Sequence, residues 1–260
     1  MTMTRFVLAL TGAVVIAAPA SAQESWTWNG TVANGRAIEI KGINGAIRAS
    51  QSSDGQVHIT ARKTARRSNP ADVRIEVVQH GDGVTVCAVY PSRQGRPENE
   101  CAPGDGGRMN VDNNDVQVEF TVQVPRGVNF VGRTVNGRIS GTNLPADAEA
   151  RTVNGDVVLT AAGLATAETV NGSIEATVGT AAWQGGLDFE TVNGSISVSL
   201  PSALNAVLNA STVNGDITSD FPVEVRGRFG PKRVSGTIGS GGNRSLTLNT
   251  VNGGITIRSR

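Results

Sequence analysis

The chain has 260 residues, a formal net charge of +1, 32 glycines and only 17% charged residues. So neutral a chain carries no field to steer it onto nucleic acid or an anionic membrane. Aliphatic β-branched residues alternate with polar ones almost throughout, an all-β composition rather than a disordered one.

In chain order, residues 1–22 come first and read as a signal peptide. Met1–Arg5 holds one cation, Phe6–Pro19 is an apolar run too short for a comfortable membrane span, and Ala20-Ser21-Ala22 is a small-x-small cleavage site. The expected mature chain starts at Gln23 and has 260 − 22 = 238 residues. Its formal charge is 22 − 22 = 0, because Arg5 is the only charge lost. No second apolar stretch reaches spanning length, so no membrane span is expected after cleavage. The composition and the leader point to an exported protein of the periplasm or cell surface.

Residues 23–128 read as an N-terminal β region. Trp26 and Trp28 share a face, Ile38 and Ile40 share another, and Val57, Ile59 and Ala61 alternate as a half-buried strand. Pro70 breaks the chain; Val73, Ile75 and Val77, then Val84, Val86 and Ala88, resume period two around the Gly81-Asp82-Gly83 turn. A long irregular stretch follows from Tyr90 to Asn114, and its first half lies between Cys87 and Cys101, which enclose 13 residues. In an oxidising compartment such a pair is expected to bond, which chain-entropy arithmetic values at about 3 kcal/mol. A two-thiol metal or redox site would need C-x-x-C spacing or a neighbouring histidine. Val116, Val118, Phe120, Val122 and Val124 then form a strand ending at Pro125.

Residues 129–260 repeat a phrase. Thr-Val-Asn-Gly stands at Thr134–Gly137, Thr152–Gly155, Thr169–Gly172, Thr191–Gly194, Thr212–Gly215 and Thr250–Gly253. Arg233-Val234-Ser235-Gly236 is a worn copy, and Ile43-Asn44-Gly45-Ala46-Ile47 an early, weaker one. The steps are 17–22 residues, and the third residue after each Asn is Ile139, Val157, Ile174, Ile196, Ile217 or Ile255, with Ile238 after Ser235. A period near 20 with one turn and two or three short strands is the mark of a solenoid. Leu246, Leu248, Thr250 and Asn252 share one parity, and Val251, Gly253, Ile255 and Ile257 the other, so the chain must bend inside the phrase. Asn and Gly accept positive φ, and Gly also lets coils approach closely. Stacking then predicts an amide ladder through Asn136, Asn154, Asn171, Asn193, Asn214 and Asn252, with Val and Ile columns filling the core. The competing arrangement is a sandwich of hairpins, which has no need of the same words at every turn.

The fold expected is therefore an all-β parallel β-solenoid with coils of about 17–22 residues, capped by N-terminal strands and continuous with them. Val86–Pro91 followed by Cys101, the Val124–Gly127 Val-Pro-Arg-Gly strand end, the leader and the Thr-Val-Asn-Gly-x-Ile copies together resemble the bacterial putative-adhesin family. The resemblance runs from about Trp28 to Ile257 and implies an exported β-solenoid at the cell envelope, with no catalytic residues to carry over.

No nucleophile elbow, P-loop or H-E-x-x-H is present, and His58 and His80 lack metal-ligand spacing. No catalytic residue, cofactor or metal is assigned, although Asp105, Asp112, Asn113, Asn114 and Asp115 have the oxygen chemistry of calcium ligands without the spacing of a calcium loop. Candidate ligand contacts are the basic run Arg62, Lys63, Arg66 and Arg67, for anionic envelope polymers, and Trp183, for sugar stacking if exposed. The positions two and four after each Asn should face outward as a Ser/Thr-rich polar surface. The expected function is a non-catalytic, adhesin-like binding or structural role at the envelope, with an envelope glycan or envelope protein as partner and no nucleic acid. The alternative is a carbohydrate-active enzyme or lectin on the same scaffold.

Overall fold

A computed structural model describes residues 22–223, 225–226 and 231–260. Residues 1–21 of the expected signal peptide lie outside the described residues. Among the described residues twenty-one strands form two long sheets, and the one helical element is a 3-10 turn, Pro70–Asp72. No helix among the described residues is long and apolar enough to cross a membrane.

The strands of the N-terminal part are β1 (Ala22–Gly30), β2 (Ala37–Lys41), β3 (Ile47–Gln51), β4 (Val57–Ala65), β5 (Arg74–His80), β6 (Gly83–Val89) and β7 (Gln117–Val124). The repeats begin with β8 (Asn129–Arg133), β9 (Ile139–Leu144), β10 (Ala148–Arg151), β11 (Val157–Ala161), β12 (Ala165–Glu168), β13 (Ile174–Val178), β14 (Gly185–Glu190) and β15 (Ile196–Leu200). They close with β16 (Ala206–Asn214), β17 (Ile217–Ser219), β18 (Val225–Arg226), β19 (Lys232–Ile238), β20 (Arg244–Asn252) and β21 (Ile255–Ser259).

Each coil gives one strand to each sheet. One sheet runs β1-β4-β7-β3-β9-β11-β13-β15-β21-β17, the other β18-β19-β16-β20-β14-β12-β10-β8-β2-β6-β5. From β6/β7 to β16/β17 the pairing is parallel, and β1, β4, β5, β18 and β19 are antiparallel additions at the ends. Antiparallel strands thus end three of the four sheet edges among the described residues, and the fourth is β17, paired in parallel with β21.

The core follows from register. Ile47, Ile139, Val157, Ile174, Ile196, Ile255 and Ile217 stand opposite one another in adjacent strands and are all buried. The facing sheet supplies Ile38, Phe130, Ala148, Ala165, Leu187, Leu246 and Leu208, also buried. Each coil is too thin to bury these side chains alone, so stability resides in the interfaces between coils.

The stack departs from the sequence reading in three ways. Its order is not the chain order: β20/β21, the last coil of the chain, lies between β14/β15 and β16/β17. The worn copy Arg233–Gly236 is no corner; it lies within β19, antiparallel to β16, with Ser235 opposite Asn209. The early copy, by contrast, is a full corner, and Asn44 bridges Asn136.

Candidate functional site

The corner built by the repeated phrase is the most regular surface of the molecule. Its four residues divide the work. Thr is buried, and its hydroxyl donates to the corner Gly carbonyl of the neighbouring coil: Thr191 to Gly172 at 2.8 Å, Thr250 to Gly194 at 2.8 Å, Thr212 to Gly253 at 2.8 Å. Val points to solvent, which corrects the expected core column of phrase valines; only the following Ile column is internal. Val153, Val170, Val192, Val213 and Val251 are 37–43% exposed and are the exposed large apolar side chains among the described residues.

Asn forms the ladder. Nδ2 of Asn136, Asn154, Asn171, Asn193, Asn252 and Asn214 donates in turn to Oδ1 of Asn44, Asn136, Asn154, Asn171, Asn193 and Asn252, at 2.7–2.9 Å. An amide has two N–H donors and two lone pairs, so each inner rung keeps one of each outside the ladder.

Gly is needed for approach more than for turning. A Cβ on Gly194 would sit 1.9 Å from the carbonyl oxygen of Gly172, and one on Gly172 2.0 Å from that of Gly155. Of the corner residues only Gly45 and Gly253 have positive φ, so the expected left-handed Asn-Gly turn is not the general rule. The bend is shallow, and backbone bonds continue through it, as from Asn193 N to Val170 O at 2.8 Å and Gly194 N to Asn252 O at 3.0 Å.

Asn193 holds two ladder bonds, one as donor and one as acceptor. Asn193→Leu is expected to cost roughly 1–2 kcal/mol at this exposed site. Thermal melting checks it: an unchanged Tm would mean that the ladder contributes nothing to stability.

Beside the corner, the outer face of β2, β8, β10, β12 and β14 carries the charges. Lys41 Nζ donates to the carbonyls of Ala102, Gly104 and Gly106, each at 2.8 Å, and burial pulls its pKa below the usual lysine value. Buried Glu39 accepts from Thr85 Oγ1 at 2.8 Å and from Gly104 N at 3.0 Å. Arg133 Nε lies 3.0 Å from Glu39 Oε1, an ion-pair contact not aligned as a hydrogen bond. Its other nitrogens reach Asp105 at 2.5 Å and Glu149 at 3.2 Å. These groups fasten the irregular stretch between β6 and β7 down on the sheet, and Cys87–Cys101 closes it as a disulfide. Asn99 stitches its base, donating to the Tyr90 and Asn110 carbonyls at 2.9 Å.

Next to this loop lies a shallow open groove across three coils, lined by Glu149, Arg151, Thr166, Glu168, Asp188 and Glu190. Glu149 Oε1 contacts Arg133 and Arg151, at 3.2 and 3.0 Å, and Glu190 Oε1 accepts from Asn249 at 3.1 Å. No group of three or more metal-binding side chains is brought together among the described residues.

The remaining candidate residues are dispersed. Trp183 is 5% exposed and part of the core, with its carbonyl accepting from Arg244 Nε at 2.7 Å, so it offers no face to a sugar. The basic run is not a cationic patch: Arg62–Ala65 belongs to β4, Arg62 pairs with Glu119, and Arg67 lies 3.8 Å from Asp115. Lys63 is buried, bonded to Val73 O and Glu24 at 2.9 Å each. Arg66 is exposed and its side chain is in none of the described ion pairs, while its backbone lies against the Asp115 carboxylate. Asp105, Asp112 and Asp115 turn to different partners, Arg133, Arg93 and the Ser68 backbone N–H. That N–H, with the Ser68 hydroxyl, draws the Asp115 carboxyl down to about 2. His58 pairs with Asp54 at 2.9 Å, and His80 contacts Thr85 at 3.0 Å, in different sheets.

Tyr90 is the chain's one tyrosine; its buried hydroxyl donates to Val116 O at 2.8 Å, and burial pushes its pKa up to about 12. The unfolded chain therefore loses this proton first. The stability from this group is whole below about pH 10 and falls as pH rises through 12, by on the order of 2 kcal/mol at pH 12. Denaturant titrations between these limits should show the decline, and Tyr90→Phe should flatten it.

Fold and corner together define a parallel β-solenoid stacked on a threonine–asparagine–glycine corner, with antiparallel strands at three of its four sheet ends among the described residues. Residues 36–258 match the Toastrack DUF4097 family, and the chain belongs to it. Among solved structures it is similar to a putative cell adhesion protein from Clostridium sporogenes ATCC 15579, at 12% identity and TM-score 0.46, covering 92% of this chain and 100% of that one. A putative adhesin from Bacteroides fragilis NCTC 9343 is similar at 16% identity and TM-score 0.38, covering 90% of this chain and 97% of that one. No curated protein matches the chain.

Proposed function

We propose that this protein is an exported, non-catalytic binding scaffold of the bacterial cell envelope, in the periplasm or at the surface, and that its contact strip is the valine–asparagine corner. One observation carries this reading: the exposed large apolar side chains of the described residues fall in a single column, beside a column of amides with spare donors and acceptors. Contiguous exposed apolar surface on a soluble fold marks an interaction site. The strip is uncharged, so its partner is a neutral stretch of an envelope glycan or an envelope protein rather than nucleic acid. The leader-like N-terminus and the disulfide suit an oxidising compartment.

The test is binding of the purified mature protein to arrays of envelope glycans and polymers, with and without calcium, beside the double variant Val170→Asp/Val192→Asp. Loss of at least tenfold in affinity with little change in Tm is expected. Equal binding by the variant would remove the strip from the reading, and no binding to any polymer or envelope extract would remove the reading itself.

The groove across β10, β12 and β14 favours a second reading, a carbohydrate-active enzyme or lectin. Three of its four carboxylates, Glu149, Glu168 and Glu190, are engaged by arginines or Asn249, an arrangement suited to holding sugar hydroxyls more than to transferring protons. Glu168→Gln/Glu190→Gln would weaken glycan binding if the groove were the site and leave it unchanged if the corner is.

A further inference from the structure

The coil made by β20 and β21 is the last in sequence, yet both its strands are internal to their sheets. On one side β20 pairs with β14, from Gly185↔Arg244 to Glu190↔Asn249, and β21 with β15, from Ile196↔Ile255 to Leu200↔Ser259. On the other side β20 pairs with β16 as far as Asn214↔Asn252, and β21 with β17 from Ile217↔Ile255 to Ser219↔Ile257. Leu246, Leu248, Ile255 and Ile257 of this coil are at most 1% exposed.

Its covalent tie to the rest of the chain is the segment 239–243, Gly-Ser-Gly-Gly-Asn. Gly239, Gly241 and Gly242 there have φ of +60°, +72° and +105°. Glycine crosses between left-handed and extended backbone at little steric cost, so this hinge can open without strain. Without the coil, the stack has a slot one coil wide. Its walls are the unpaired edges of β14/β15 and of β16/β17, each with hydrogen-bonding register and apolar columns shaped to this one sequence. Open parallel edges recruit matching strands, and the best match is the same segment on another molecule.

We propose that this slot is an acceptor site for the C-terminal coil of a second copy, and that reciprocal exchange gives an intertwined dimer. Every contact of the coil is the same in the exchanged form; the hinge alone changes. A two-fold exchange fills both slots and closes the assembly. The surface concerned is internal to the stack, so the proposal stands or falls independently of the corner's ligand.

The test uses Ser197 and Thr256, directly opposite one another on β15 and β21 with outward-facing side chains. A chain with Ser197→Cys and a differently tagged chain with Thr256→Cys are unfolded, mixed and refolded at low and at high concentration with the native disulfide intact, then treated with a short thiol–thiol cross-linker. One chain carrying both substitutions reports the intramolecular contact. Monomer is expected from dilute refolding. From concentrated refolding a species of twice the mass is expected, in which the two tagged chains are cross-linked to each other. Monomer at every concentration, with cross-linking confined to the chain carrying both cysteines, would overturn the proposal. A dimer without the interchain cross-link would overturn it equally.

Discussion

Gly194→Ala is expected to destabilise the protein by roughly 3 kcal/mol or more, at the upper end of what overpacking costs. The added methyl would lie 1.9 Å from the Gly172 carbonyl oxygen and 2.5 Å from its carbonyl carbon. The obstruction is backbone, so no rotamer change relieves it; the two coils must separate. Separation would stretch the Gly172–Asn193 backbone, Thr191–Gly172 and Asn193–Asn171 hydrogen bonds together. Gly55 is the control: nothing lies within 4 Å of a Cβ there, so Gly55→Ala should change stability little. Equilibrium denaturation of both variants measures the difference, and equal effects would show that coil spacing is not what these glycines protect.

The second large effect belongs to truncation. Removing 244–260 should abolish cooperative unfolding, whereas removing β1, nine residues at the edge of its sheet, should leave a folded and less stable protein. The reason is position. β1 pairs on one side only, with β4, while β20 and β21 each pair on both sides. In a quasi-one-dimensional stack, loss of an interior unit cancels two interfaces at once. Far-UV circular dichroism and urea titration of the two truncated chains, each kept as a monomer by dilution, decide the matter. A cooperative transition in the chain lacking 244–260 would show that the two halves of the stack can close without their common member.

Local geometry was legible in the sequence where one residue dictates it. The third residue after each Asn must be inside because parity and β-branching agree at Ile139, Val157, Ile174, Ile196, Ile217 and Ile255, and each is buried. The phrase valine was misjudged because two consecutive residues, Val and Asn, both face solvent at a shallow corner, which no strict alternation describes. Stacking order was illegible for a different reason. Thr250–Gly253 has the same wording as Thr212–Gly215, so nothing in either says which coil it neighbours; the order is set by which interfaces the chain can close. The worn copy carried its own warning in Ser235, since a serine there cannot extend an amide ladder.

The groups around the loop gave no signal either. Glu39 and Lys41 look like the outward charges of an ordinary strand, and their importance comes from backbone groups of residues 102–106, more than 60 positions away. Trp183 is similar: its backbone carbonyl is held by Arg244 of β20, which arrives from the far end of the chain.

The ladder has a chemical consequence as well as a mechanical one. Asparagine followed by glycine is the dipeptide most open to deamidation, in which the glycine nitrogen attacks the side-chain carbonyl, a cyclic imide forms and ammonia leaves. Seven such pairs stand in this corner, counting Asn44-Gly45. In the folded stack the attacking nitrogens are occupied: Gly155 N donates to Asn171 O, Gly172 N to Asn193 O and Gly194 N to Asn252 O, each at 3.0 Å. The side-chain amides are held by their neighbours above and below. Unfolding releases both partners of the reaction at once. A rung that has lost its amide returns as a carboxylate with no proton to donate, so the age of a molecule, counted in time spent unfolded, is written into the column that holds it together.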